Sequence, residues 1–415
     1  MPPLEAVPPL GSVLPPKFDL YDPAVVADPY PVYAELRAAG PLGRGGPGQW
    51  VVPRFADVAR FMADKRLSGN FSEDHHRPTI GAGPASDFFQ RVILNQDPPD
   101  HTRLRRLMGR AISPGLARDL TPAIVRIVDE LLAPAMDGAP FDAVTDLAHP
   151  LPLRVLGELV GIDAGDLTEV GRRAIDVAKA FAAVLGPDER QAAHDSVLWL
   201  RDYLSTLLNE RRAAPGGRDM LSRLAAARDG TAFADGTDRL TDDEIIENVL
   251  FTLFAGYETT MSTVATGCQV LSELPDQLAR LREAPALVPS AVEEFLRFDA
   301  PIQVKLRHAL VPIPFGGRVL RPGRIVVLLL GSANHDERQF DDPARIDVGR
   351  HPNPHQSFGG GHHRCIGAAL ARAELCAVFD RIGRLAALEP AGPAVRQLRP
   401  GFRAFANVPL TVVPA

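Results

Sequence analysis

Three glycines and two histidines run into a cysteine in Phe358-Gly359-Gly360-Gly361-His362-His363-Arg364-Cys365-Ile366-Gly367, and an Ala-rich helical pattern follows. Glycines let a backbone pass close to a flat cofactor, because no Cβ stands in the way. A cysteine at a helix N-terminus has its anionic sulfur stabilised by the dipole and the unpaired N–H groups, which makes it a strong metal ligand. The last helix is expected to start at Cys365, with Gly367 removing a side chain that would strike the cofactor. A zinc site from His362, His363 and Cys365 lacks a second close Cys or His pair at the usual spacing. Pro352 and Pro354 prevent a helical pairing of His351 with His355. Cys268 and Cys376 read as core packing.

A second group lies in Ala255-Gly256-Tyr257-Glu258-Thr259-Thr260, amid Leu250, Phe251, Leu253 and Phe254. A carboxylate and two hydroxyls in such surroundings cost free energy unless they are partnered or used. Ala255-Gly256 leaves room for a ligand, and a Thr hydroxyl can bond the carbonyl four residues back. The residues alone equally allow a satisfied polar pair at a helix contact.

The elements that must position these groups can be read in outline. Thr241-Asp242-Asp243-Glu244 is a capping box, and no proline follows until Pro275, so one buried helix of roughly 30 residues is expected. A second helix is expected over Ser290 to Phe298, with strands at Gly48 to Val52, Gln303 to Val311 and Ile325 to Leu330. Thr121-Pro122 reads as an N-cap and N1 pair. Residues 1–55 read as an N-terminal arm with short strands and turns, and residues 99–415 as a helical body with small sheets. No break divides the chain, so a single domain over 1–415 is expected.

Residues 358–367 resemble the haem-binding signature of the cytochrome P-450 family, Phe-Gly-x-Gly-x-His-x-Cys-x-Gly, at all six fixed positions. A chance match is rarer than about one in 10⁴. The resemblance implies a mainly α fold, a triangular helical prism with small β-sheets around a buried haem b. It implies Cys365 as the iron ligand, with Phe358, Gly359, Gly367 and Ala255 against the cofactor. His101, Arg105, Arg307 and His363 would meet its propionates. Thr259 would hold dioxygen and its water, and Glu258 would relay protons. Glu294, Arg297 and Arg345 would form a structural network locking the cysteine loop.

By location in the same family topology, Phe88, Phe89, Leu94, Phe181, Phe251, Phe254, Gln303 and Phe405 would surround a small, largely apolar organic substrate. Val184 and Leu185 are expected near Phe181. Lys305, two residues before Arg307 on the same side of a strand, would pair with a haem propionate or with an acidic group of the substrate. Arg103, Arg106 and Arg110 share a helical face, which is either a docking patch for an acidic electron donor or an ordinary solvated surface.

The bulk properties agree with a soluble enzyme. The 415 residues carry a net charge of −6, against a general nucleic-acid binder, and only four of the 45 basic residues are lysine (Lys17, Lys65, Lys179 and Lys305). Three cysteines fit a reducing cytoplasm rather than a disulfide framework. The Pro-rich N-terminus has neither the basic nor the apolar stretch of a signal or anchor, so no membrane is expected. The chain has no flavin or ferredoxin motif. The family reading therefore implies a monomer that takes electrons, ultimately from NAD(P)H, through a separate ferredoxin and ferredoxin reductase. Activation of O2 by a monooxygenase of secondary metabolism, such as antibiotic biosynthesis, is the expected activity. Oxidative coupling or desaturation, or a non-catalytic haem-thiolate sensor, are the alternatives.

Overall fold

Thr241 opens the longest helix of the chain, Asp242–Glu273, which spans 32 residues and about 48 Å. Its hydroxyl accepts from the Glu244 N–H at 3.2 Å, and the Glu244 carboxylate accepts from the Thr241 N–H at 2.9 Å. Val249, Leu253, Met261, Ala265, Ser262 and Thr266 are buried and lie all round it, so it runs through the core as a central pillar. At Gly267 it meets the helix Ala368–Ile382, and a Cβ there would stand 2.1 Å from Phe379 Cζ. Leu274-Pro275 ends it.

The computed structural model describes residues 15–182, 185–228 and 240–415. Other helices pack around the pillar, among them Pro150–Val160, Leu167–Ala182, Pro187–Ala213 and Ala368–Ile382, and Pro114–Met136 packs in turn on the first and last of these. The principal sheet sits to one side, in the strand order Gly43–Arg44, Gln49–Val52, Ile325–Leu329, Val304–Ala309, Leu67–Ser68. The Gln49 strand runs parallel to the Ile325 strand, and the other pairings are antiparallel. A C-terminal hairpin pairs Val395–Arg399 with Phe402–Asn407, bringing Arg399 opposite Phe402.

Four local expectations need correction. The N-terminal segment contains the helices Pro23–Ala27 and Tyr30–Ala39, because prolines in a first helical turn are compatible with helix rather than opposed to it. Helical structure also precedes residue 99, in Phe55–Met62, Glu73–Ile80 and Pro84–Arg91. Thr121 and Pro122 lie inside the helix Pro114–Met136. Its cap is Ser113, whose hydroxyl accepts from Leu116, while Thr121 Oγ1 satisfies the Ala117 carbonyl at 3.0 Å. The last helix begins at Ala368 rather than at Cys365, which leaves the cysteine in the loop.

Candidate active site

A buried ion network anchors the segment from Asp341 to Asn353, which leads into the cysteine loop. Glu294 and Arg297, one turn apart and fully buried, share two hydrogen bonds of 2.7 and 2.8 Å. Arg297 also donates to the carbonyls of Asn334 and Pro343, at 3.0 and 2.8 Å. The third member is Arg350, not Arg345. Arg350 Nε lies 3.1 Å from both Glu294 oxygens, and its other nitrogens reach the carbonyls of Asp341, Asp342 and Arg345. The Arg345 side chain is exposed, and the residue contributes to the network through its carbonyl. Asn353 and the Asp347 N–H complete the carboxylate's shell at 3.0 Å each.

The loop glycines serve the backbone. Gly359 and Gly361 have φ of +65° and +64°, and a Cβ on Gly361 would stand 2.4 Å from the carbonyl oxygen of Met62. These two glycines therefore let the loop turn against the end of the helix Phe55–Met62, and Gly359 also lines the cavity that Cys365 faces. Gly367 does face the cavity, where the nearest atom to a Cβ would be Cys365 Sγ at 4.0 Å. The Cys365 N–H donates to the Phe358 carbonyl at 2.8 Å, and Arg372 lies over the Phe358 ring at 4.4 Å.

Cys365 faces a cavity of about 1830 Å³. Single small-ligand pockets run to roughly 300–1,000 Å³, so this space can take a large cofactor and a second molecule. The thiol's surface is open to that cavity, while the protein otherwise encloses it. Burial raises its pKa; the Gly367 N–H and then Arg105, Arg372 and Arg364 act in the opposite direction. Coordination to a cation would remove the proton outright.

His101, Arg105, Arg307 and His363 also line the cavity. Both ring nitrogens of His101, Nη2 of Arg307 and Nε2 of His363 are buried without a partner. Buried donors are normally satisfied, so this cluster has the chemistry of a site for acidic groups of a bound molecule. Burial, followed by the charges of His362 and Arg105, pushes His101 down to about 4. Burial likewise pushes Arg307 down to about 10. Asp97, His362 and His363 bring one ligand atom each within 4.8 Å of one another. Among the described residues, no such group includes Cys365.

The central helix forms another wall, with Phe251, Phe254, Ala255, Gly256, Glu258 and Thr259. Thr259 Oγ1 donates to the Ala255 carbonyl at 3.0 Å. Arg399, from the C-terminal hairpin, grips both oxygens of Glu258. Nothing in the hexapeptide indicates that partner. Glu374 was also missed: it lines the cavity with Oε2 unpartnered, and burial raises it to about 8. An acid amid Leu370, Leu375 and alanines is the signal that was available.

The expected substrate wall divides. Leu94, Phe251 and Phe254 line the cavity. Phe88 and Phe89 do not; they stand behind Phe254, with ring centroids 6.2 and 6.1 Å from it. Gln303 is turned against Gly331, where a Cβ would lie 1.9 Å from its Oε1, and Phe405 packs under Arg396 at 4.1 Å. Phe402 reaches the cavity instead. The side chain of Phe181, and Val184, fall outside the described residues, and Leu185 is buried. Arg103 is engaged by Glu244.

A loop cysteine, a long helix and orphaned buried donors thus share one large cavity. Residues 172–384 match the sequence model of the family Cytochrome P450. Nocardicin C N-oxygenase of Nocardia uniformis subsp. tsuyamanensis is 38% identical, over 85% of this chain and 86% of that protein. Cytochrome P450 monooxygenase PikC of Streptomyces venezuelae is 35% identical, over 92% of this chain and 91% of that protein. The crystal structure of CalO2 superposes with a TM-score of 0.89 at 36% identity, covering 96% of this chain and 99% of that one. The chain belongs to the cytochrome P450 family and has its fold. Family membership makes it an oxidoreductase and implies haem iron and the use of O2. Among the described residues, no helix is long and apolar enough to cross a membrane.

Proposed function

We propose that this chain is a haem-thiolate monooxygenase that places one oxygen atom of O2 into a small, largely apolar organic substrate in bacterial secondary metabolism. The observation that carries the reading is the sharing of one cavity by Cys365, the orphaned donors His101, Arg307 and His363, and the Glu258-Thr259 pair. When bound, haem supplies the iron at which O2 is reduced. Cys365 would hold that iron, and His101, Arg105, Arg307 and His363 would hold the propionates. Thr259 and Glu258 both line the cavity, and Glu258, tied to Arg399, would pass protons to the Thr259 hydroxyl. Phe251, Phe254 and Leu94 exclude water and favour an apolar substrate body.

Hydroxylation or epoxidation is the outcome most in keeping with this wall. Desaturation or oxidative coupling would use the same groups. A proton-passing acid–alcohol pair has no use in a non-catalytic sensor, which argues against that class. Electrons would come from NAD(P)H through a ferredoxin reductase and ferredoxin, to a cytoplasmic monomer.

The ferrous–CO spectrum tests the core of this reading. The wild type is expected to show a strongly red-shifted Soret band, and Cys365→His is expected to lose it while retaining the fold. A band that persists in the variant would place the ligand elsewhere.

A further inference from the structure

Lys305 is an enclosed cation of the cavity wall that the preceding reading leaves without a task. It lies on the strand Val304–Ala309, two residues from Arg307, and both line the cavity. The side chain is deeply enclosed by protein, and the surface it keeps is cavity wall. No hydrogen bond or ion pair reaches its ammonium among the described residues. Burial, and then the like charge of Arg307, push it down to about 7. An enclosed ammonium without an anion is costly, and in proteins such groups are paired or neutralised.

Among the described residues, no carboxylate of the cavity wall is left to pair with it. Glu258 is matched by Arg399. Burial keeps Glu374 protonated near neutrality. Asp19 is exposed on the N-terminal loop, where it accepts from the Tyr21 N–H, and Asp97 acts on Arg307 rather than on Lys305. A bound haem b would bring two propionates, and Arg105 and Arg307 would supply two positive charges for them, with His101 and His363 as further polar partners. Lys305 is therefore an enclosed cation with no protein anion beside it, in a cavity whose wall also includes Leu94, Phe251, Phe254 and Phe402.

We propose that Lys305 is the recognition point for a carboxylate on the substrate, so that the molecule oxidised has an apolar body and one anionic end. The anion anchored at Lys305 fixes which part of the apolar body lies over the reacting centre, making Lys305 a specificity-determining residue. The assignment rests on the haem-thiolate reading above.

The test titrates the ferric holoenzyme with octanoate, decanoate and dodecanoate and with their methyl esters, reading the spin-state shift of the Soret band. The wild type is expected to bind the best acid about tenfold more tightly than its ester, the size of one charge-assisted contact. Lys305→Met and Lys305→Gln should erase that preference, leave ester binding unchanged and retain full haem content. Lys305→Arg should restore it. The proposal is overturned if no acid outbinds its ester in the wild type, or if the preference survives in Lys305→Met. Loss of haem from the variants would also overturn it, since that assigns Lys305 to a propionate. A wild type that takes up no haem would instead refute the haem-thiolate reading itself.

Discussion

Arg399 holds Glu258 with hydrogen bonds of 2.8 and 3.2 Å from a strand 141 positions away in the chain. Both side chains are largely enclosed, and the guanidinium also stacks 4.5 Å over Phe402, a residue of the cavity wall. The acid of the central helix is thus tied to the hairpin that borders the substrate space. Arg399→Gln should free Glu258, leave haem content unchanged and slow turnover about tenfold, with a larger solvent isotope effect on the rate. An unchanged isotope effect would make the pair purely structural.

Thr259 follows that acid directly in sequence and lines the cavity. Thr259→Ala should retain haem and ligand binding and shift reducing equivalents from product to hydrogen peroxide. Thr259→Ser should recover most of the coupling. The measurement is peroxide released per NAD(P)H consumed, and equal coupling in the wild type and Thr259→Ala would remove Thr259 from proton handling.

The two arginines near Glu294 give a sharp contrast in stability. Arg350→Ala leaves a buried carboxylate short of a charge partner and should cost about 3–5 kcal/mol, with lowered haem retention. Arg345→Ala removes an exposed side chain and should stay within about 0.5 kcal/mol of the wild type. Denaturant melts of both variants check this, and a large loss in Arg345→Ala would restore that residue to the network.

Asp299 sets an acid limit. Burial alone would raise its carboxyl, but Arg396 and Arg403 override burial and hold it below the ordinary value, with Tyr30 donating at 2.7 Å. A carboxyl depressed in the fold contributes stability that is present above its unfolded pKa of about 4 and is lost as pH falls through the folded value. The melting temperature should therefore drop more steeply below about pH 4 in the wild type than in Asp299→Asn. Parallel curves would show that the cluster does not govern acid unfolding.

The cysteine loop and the central helix were legible because their signals are local. A capping box with a proline-free run fixes Asp242–Glu273, and six fixed residues mark the loop around Cys365. What stayed hidden depends on contacts distant in sequence. Arg350 outranks Arg345 because the segment from Asp341 to Asn353 folds back over Glu294, and no periodicity encodes that path. Phe88, Phe89 and Phe405 were expected at the substrate on location alone, and their rings went into packing instead. The helix Tyr30–Ala39 was hidden by prolines, which read as turn signals although they are compatible with a first helical turn.

The network around Glu294 also bears on the order of events in maturation. Backbone carbonyls, an amide N–H and Asn353 all converge on Arg297, Arg350 and Glu294, so the segment that leads into the Cys365 loop is ordered by contacts within the protein. Its conformational entropy is lost when the chain folds, and little is left to lose when a ligand arrives. Haem capture should then resemble docking into a rigid receptor, with a rate set by access to the cavity rather than by loop closure.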